Sequence, residues 1–169
     1  MKRTRFVAYG GILTAVSVVL LVLASISPGA CWALCISAGT IPAIPLVHRQ
    51  VRLGIHIYFA TSLLAALVVP GKRFVVAYIV LFGVYPLIKY GIERIHRLPA
   101  EWACKLLYAA LVAAFLLFLL RVGVLPLGEH AAALPHALLT AAFFIAFACY
   151  DILFSKIIAL FRMLFRDRP

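Results

Sequence analysis

A chain of 169 residues is long enough for one soluble domain, but 66% hydrophobic and only 12% charged residues leave too little charge to cover one. Lys and Arg number 16 against 5 Asp and Glu, yet no basic stripe and no aromatic–basic reading motif accompanies the formal charge of +11, which excludes nucleic acid as the natural partner. A mean hydropathy of +1.13 points instead to a bilayer protein whose basic residues face anionic lipid and fix topology.

The start, "MKRTRFVAYGGILTAVSVVLLVLASISPGA", has the basic head and apolar run of a secretory signal. The residues after it are just as apolar, so the run reads as a first membrane span over 6–25. Its small residues fall at helical spacing: Ala8, Gly11 and Ala15, with Gly10 and Thr14 one position over. Gly11 and Ala15 share a face and let another backbone approach, either within the bundle or on a separate membrane protein. A second span is predicted over 30–47, interrupted by Gly39, Pro42 and Pro45. At ~1.5 Å per residue it reaches only ~27 Å, and in lipid its freed carbonyls need shielding by neighbours. Further spans are predicted over 53–69, 74–89, 102–120 and 137–160, the fourth interrupted at Pro86. The result is an all-α, six-helix transmembrane bundle forming one domain over 1–169.

The charges orient it. With the N-terminus inside, the inner side receives Lys2, Arg3, Arg5, Arg49, Arg52, Lys89, Arg94, Arg97, Lys105, Lys156, Arg162, Arg166 and Arg168. The outer side keeps Lys72, Arg73 and Arg121. Basic residues resist translocation, so this asymmetry predicts both termini in the cytoplasm and a multi-pass protein of the cell membrane. The inner segment "KYGIERIHRLPAEW" reads as an amphipathic surface helix. The outer segment "RVGVLPLGEHAAALPH" carries Glu129, His130 and His136, a polar rim more than a metal site.

Asp151 falls inside the last span, about 21 Å along a core of about 30 Å. A lone carboxylate at that depth is costly, so an ionic network is predicted with Lys156 on its own helix or with Arg52 and His56 of the third span. Trp32, Ser37, Thr40, Tyr78, Tyr85 and His130 are candidates for ligand contact, since apolar walls with a few orienting groups suit a small organic molecule. Packing accounts for the same residues. The four cysteines read as small apolar residues, and neither metal nor cofactor is expected. HExxH, GxSxG, a Walker A sequence and paired intramembrane acids are all missing from the sequence, so no enzymatic activity is expected and any ATP-driven work requires another subunit.

"VAYGGILTAVSVVLLVLAS" in the first span and "YPLIKYGIERI" closing the fourth resemble small six-span membrane proteins of Gram-positive bacteria. These are related to the substrate-binding S components of energy-coupling factor transporters, and the likeness covers essentially the whole chain. The resemblance implies a six-helix subunit that captures a micronutrient from outside and pairs with a transmembrane T component and two cytoplasmic ABC ATPases. It also implies that the first helix meets the T component through an alanine-x-x-x-alanine face. Gly11 and Ala15 match that face, extended by Ala8, with glycine in place of the first alanine. The connection between the first two helices, "SISPGA", is short beside the family's ligand-capping loop. The runner-up is a membrane scaffold or assembly protein of the cell envelope.

Overall fold

The computed structural model describes residues 3–47, 49–92, 98–121 and 135–166, and these are all helix and turn, without strand. Among the described residues, five helical segments are long and apolar enough to cross a membrane, and Cys31–Val47 is a shorter apolar sixth. The chain is a polytopic membrane protein. Its surface carries the signature of lipid contact: Val7, Ile12, Val19, Phe59, Leu63, Leu67, Leu107 and Leu111 are all exposed large apolar side chains. The helices sort into two compact units, Met1–Arg94 and Ile95–Pro169.

The first unit contains α1 (Arg3–Ile26), α2 (Cys31–Thr40), α3 (Ala43–Val47) and α4 (Val51–Val68). After α4 comes a broken segment: α5 (Lys72–Ala77), a π-helical turn (Tyr78–Phe82) and α6 (Tyr85–Ile92). The break between α2 and α3 has a direct cause. Pro42 has no N–H for Ala38 and Pro45 none for Ile41, the carbonyls four residues back. Both carbonyls are rescued by tighter bonds, from Ile41 N to Ala38 O at 3.3 Å and from Ile44 N to Ile41 O at 3.1 Å. Pro45 also closes α3 in a Schellman motif. Gln50 N donates to Pro45 O and Arg49 N to Leu46 O, both at 2.9 Å, while Arg49 takes the left-handed φ of 59°.

Expected and observed interruptions differ in the fourth span. The sequence places the break at Pro86, near the span's end; in the structure it falls earlier. Gly83 N donates to Tyr78 O at 2.7 Å across five residues, and the helix restarts at Tyr85. Pro86 is thereby seated in the first turn of α6, where its missing N–H leaves nothing unsatisfied.

Small residues set the close approaches of this unit. A Cβ on Gly39 would lie 2.5 Å from the Cβ of Phe82 and 2.7 Å from its carbonyl oxygen, so α2 rests directly on the π turn. A Cβ on Gly54 would lie 3.0 Å from Pro42 O, bringing α4 against the α2–α3 break. Helices α1 and α4 run parallel: Gly10 of α1 meets Leu53 near the start of α4, and Ser25 near the end of α1 meets Gly71 just after α4. Phe6, Tyr9, Leu13 and Leu20 of α1 pack on Ile41, Leu53 and Ile57.

The second unit is α7 (Leu98–Arg121) and α8 (His136–Arg166). Lys105 pairs with Asp151 and Tyr108 with Phe147, so residue numbers rise on one helix as they fall on the other: an antiparallel hairpin. Ala109, Val112 and Ala113 line its seam from α7, and Phe147, Tyr150 and Phe154 from α8.

Of the predicted amphipathic inner segment over 89–102, the ends belong to α6 and α7 and residues 93–97 lie outside the described residues; so do Glu129, His130 and the rest of 122–134.

Candidate functional site

Helix α1 presents two small-residue faces, and they serve opposite uses. Gly10, Thr14, Ser17, Leu21 and Ala24 recur at four- and three-residue steps and are all buried. Ala8, Gly11 and Ala15 are exposed, and a Cβ on Gly11 would meet nothing within 4 Å. The packing glycine is therefore Gly10. Its Cβ would lie 2.9 Å from Leu53 Cδ1, so that face is already used within the chain.

The ligand-contact candidates also divide. Trp32 is 57% exposed on α2, its ring 5.9 Å from Phe74 in an edge contact. Ser37 is exposed and donates its hydroxyl to Ala33 O at 2.8 Å; Thr40 donates to Ser37 O at 2.7 Å. These hydroxyls are absorbed by their own helix. Tyr78 and Tyr85, by contrast, are fully buried on the broken fourth span. Of the five described candidates, three belong to α2 and two are buried on the fourth span; His130 lies outside the described residues.

What it brings together is a set of buried hydroxyls. Among the described residues, most Ser and Thr side chains in the spans bond back to their own helix, as Thr14 does to Gly10 O at 2.9 Å and Ser155 to Asp151 O at 2.8 Å. Ser17, Thr61, Ser62 and Tyr78 do not: each hydroxyl is buried and makes no bond back to its own helix backbone. Thr61 faces the Tyr78 phenol. The Tyr78 ring stacks on Tyr58 with centroids 6.3 Å apart, and Tyr58 in turn donates to Ile79 O at 3.0 Å, inside the π turn. Ser17 is seven residues past Gly10 on α1, as Thr61 is eight past Leu53 on the parallel α4. A buried hydroxyl left unsatisfied costs about 1–3 kcal/mol. Broken backbone at membrane depth is tolerated where protein shields it or where it lines a polar site.

Among the described residues two charged groups, Lys89 and Asp151, are buried as well. Lys89 is 1% exposed, with its ammonium 5.7 Å from the Tyr85 ring centroid one turn back. By charge pattern alone Lys89 counts only toward the cytoplasmic side; the signal for its burial is the i,i+4 pairing of tyrosine and lysine in "YPLIK". Asp151 is 5% exposed and its Oδ2 accepts from Lys105 Nζ at 3.0 Å. Lys105 of α7 is a partner that the expected network of Asp151 with Lys156, Arg52 and His56 did not include. Lys156 is exposed, as are Arg52 and His56 of the first unit, and the His56 ring lies against the Arg52 carbonyl. Helix direction explains the miss, because only an antiparallel α7 sets Lys105 level with Asp151. The lysine also lies over Trp102, 5.4 Å from its ring centroid.

All four cysteines are free, and Cys35 is the buried one, its thiol 3.8 Å from Phe74 O. Among the described residues no three His, Cys, Asp or Glu side chains gather to hold a metal. No family model, curated protein or solved structure matches this chain.

Proposed function

We propose that the protein is the substrate-capture subunit of an ATP-driven micronutrient uptake transporter, with no catalysis of its own. The observation that carries this reading is the outward face of α1, where Ala8, Gly11 and Ala15 remain clear of the chain's own packing. A flat, small-residue stripe on a lipid-facing helix suits a second membrane helix at close range, since packing rather than hydrophobicity drives association in the bilayer. On this reading the stripe docks a transmembrane T component, and two cytoplasmic ABC ATPases power the cycle. Both termini lie in the cytoplasm, as the distribution of Lys and Arg favours. The substrate is a small molecule taken up from outside.

The test compares Gly11→Leu with Gly10→Leu. Gly11→Leu is expected to fold normally yet lose co-purification with its membrane partner. Gly10→Leu is expected to disturb the bundle itself, because its side chain collides with Leu53. Native purification with mass spectrometry reads out partners and any retained solute. Recovery of wild type without an ATPase-linked membrane partner, under conditions that preserve complexes, sinks the transporter reading and favours the envelope scaffold.

A further inference from the structure

We infer that the exposed face of α4 docks one anionic phospholipid, with its headgroup phosphate at Arg49 and Arg52 and an acyl chain laid along Phe59 and Leu63. The site needs no transport partner and does not use the small-residue face of α1.

The face is built in register. Arg52, His56, Phe59, Leu63 and Leu67 recur at four- and three-residue steps of α4 and are all exposed. Arg49, also exposed, stands just ahead of the helix. Polarity therefore changes once along the stripe, cationic at the start of the span and apolar beyond it. Phe59 and Leu63 lie about 10 and about 16 Å along the axis from Arg52, the depth of one leaflet in a core of about 30 Å. The headgroup and chain of a single lipid match that order and that length.

Three observations choose this occupant. The first is charge. No Asp or Glu precedes Glu93 in the sequence, and among the described residues Arg49 and Arg52 make no ion pair. Helix α1 also begins with arginines, Arg3 and Arg5, and the parallel packing of Gly10 against Leu53 puts that start at the same end as Arg52. A cationic partner finds no counter-charge there, whereas a phosphate finds several. The distribution of Lys and Arg favours the cytoplasmic side for this end, where the leaflet is the anionic one. The second is bulk. Ile55, Phe59, Leu63 and Leu67 are large exposed side chains that hold a second helix away, while fluid acyl chains fit around them. The third is the backbone at Arg49. Its φ of 59° is the left-handed conformation in which glycine is the usual residue, yet an exposed arginine is kept there.

The intact protein, delipidated in a neutral detergent, is titrated with dioleoyl phosphatidylglycerol or dioleoyl phosphatidylcholine at one ionic strength and melted. Phosphatidylglycerol is expected to raise Tm to a plateau, with one retained molecule found by native mass spectrometry, and phosphatidylcholine to do neither. Soluble glycerol phosphate, a headgroup without chains, is expected to give no rise at equal concentration. Arg52→Gln and Arg49→Gly are each expected to raise the half-saturating lipid fraction about fivefold, the weight of one basic contact with an anionic leaflet. Arg49→Gly also relieves the left-handed backbone, so its weaker lipid response is expected in a chain at least as stable as wild type without lipid. Lys72→Gln removes an equal charge beyond the other end of α4, where Nζ donates to Ala66 O at 2.7 Å, and is expected to leave the titration unchanged. Equal responses to the two lipids overturn the inference, as does a rise with glycerol phosphate that matches phosphatidylglycerol. An unchanged titration in both arginine variants overturns it too, and so does an equal loss in Lys72→Gln, which marks a general effect of charge.

Discussion

At the scale of single residues, the ion pair of Lys105 and Asp151 shows how much a bilayer raises the cost of an unmatched charge. The pair is nearly buried, with side chains 12% and 8% exposed, and a carboxylate left there alone must stay ionised without a partner or take up a proton. Lys105→Met is therefore expected to destabilise the hairpin by about 3–5 kcal/mol, measured by thermal or denaturant unfolding in detergent. Combining it with Asp151→Leu is expected to recover most of that loss, because an apolar pair of similar volume has no charge to desolvate. If the single variant costs no more than a surface pair, about 1 kcal/mol or less, the pair is effectively solvated. Sequence alone exposed Asp151 as an anomaly in an apolar run, but its partner stands 46 residues away and depends on the pairing of two helices.

At the scale of elements, prolines and glycines decide where the helices stop and how near they come. Pro42 and Pro45 divide the second span into α2 and α3, an interruption legible in the sequence because each proline deletes a definite hydrogen bond. The π turn was not legible in the same way. It reflects the fit of Phe82 against Gly39 and of Tyr78 against Gly83 more than any local preference of "YIVLF". Arg49 gives an element-level prediction. It caps α3 with a left-handed backbone that costs a side-chain-bearing residue roughly 1–2 kcal/mol. Arg49→Gly is expected to stabilise the protein by about 1 kcal/mol in unfolding measurements, the gain being trimmed by the greater freedom of glycine in the unfolded chain. A fall in stability would mean that the Arg49 side chain contributes more than the strain removes.

For the whole molecule, the prediction concerns orientation. Cysteines introduced at Lys72 or Arg73, in a chain cleared of its native cysteines, are expected to react with a membrane-impermeant thiol reagent from outside intact cells. Cysteines at Lys2 or Arg166 are expected to react only after permeabilisation. Labelling of Arg166 from outside would remove an odd number of crossings from the reading and break the charge asymmetry on which it rests.

The amino-acid sequence by itself determined that this chain lives in lipid, that it is helical, and roughly where its apolar segments begin and end. Backbone polar groups in a bilayer leave few alternatives to helix, and run length sets the number of crossings. Which side of each helix turns inward was decided only by the tertiary structure. In water an apolar stripe marks the buried face; in lipid both faces are apolar, so Gly10 and Gly11 look equivalent until Leu53 is found against one of them. The same holds for Thr61 and Tyr78, unremarkable as separate hydroxyls and brought face to face only by the packing of α4 against the broken fourth span.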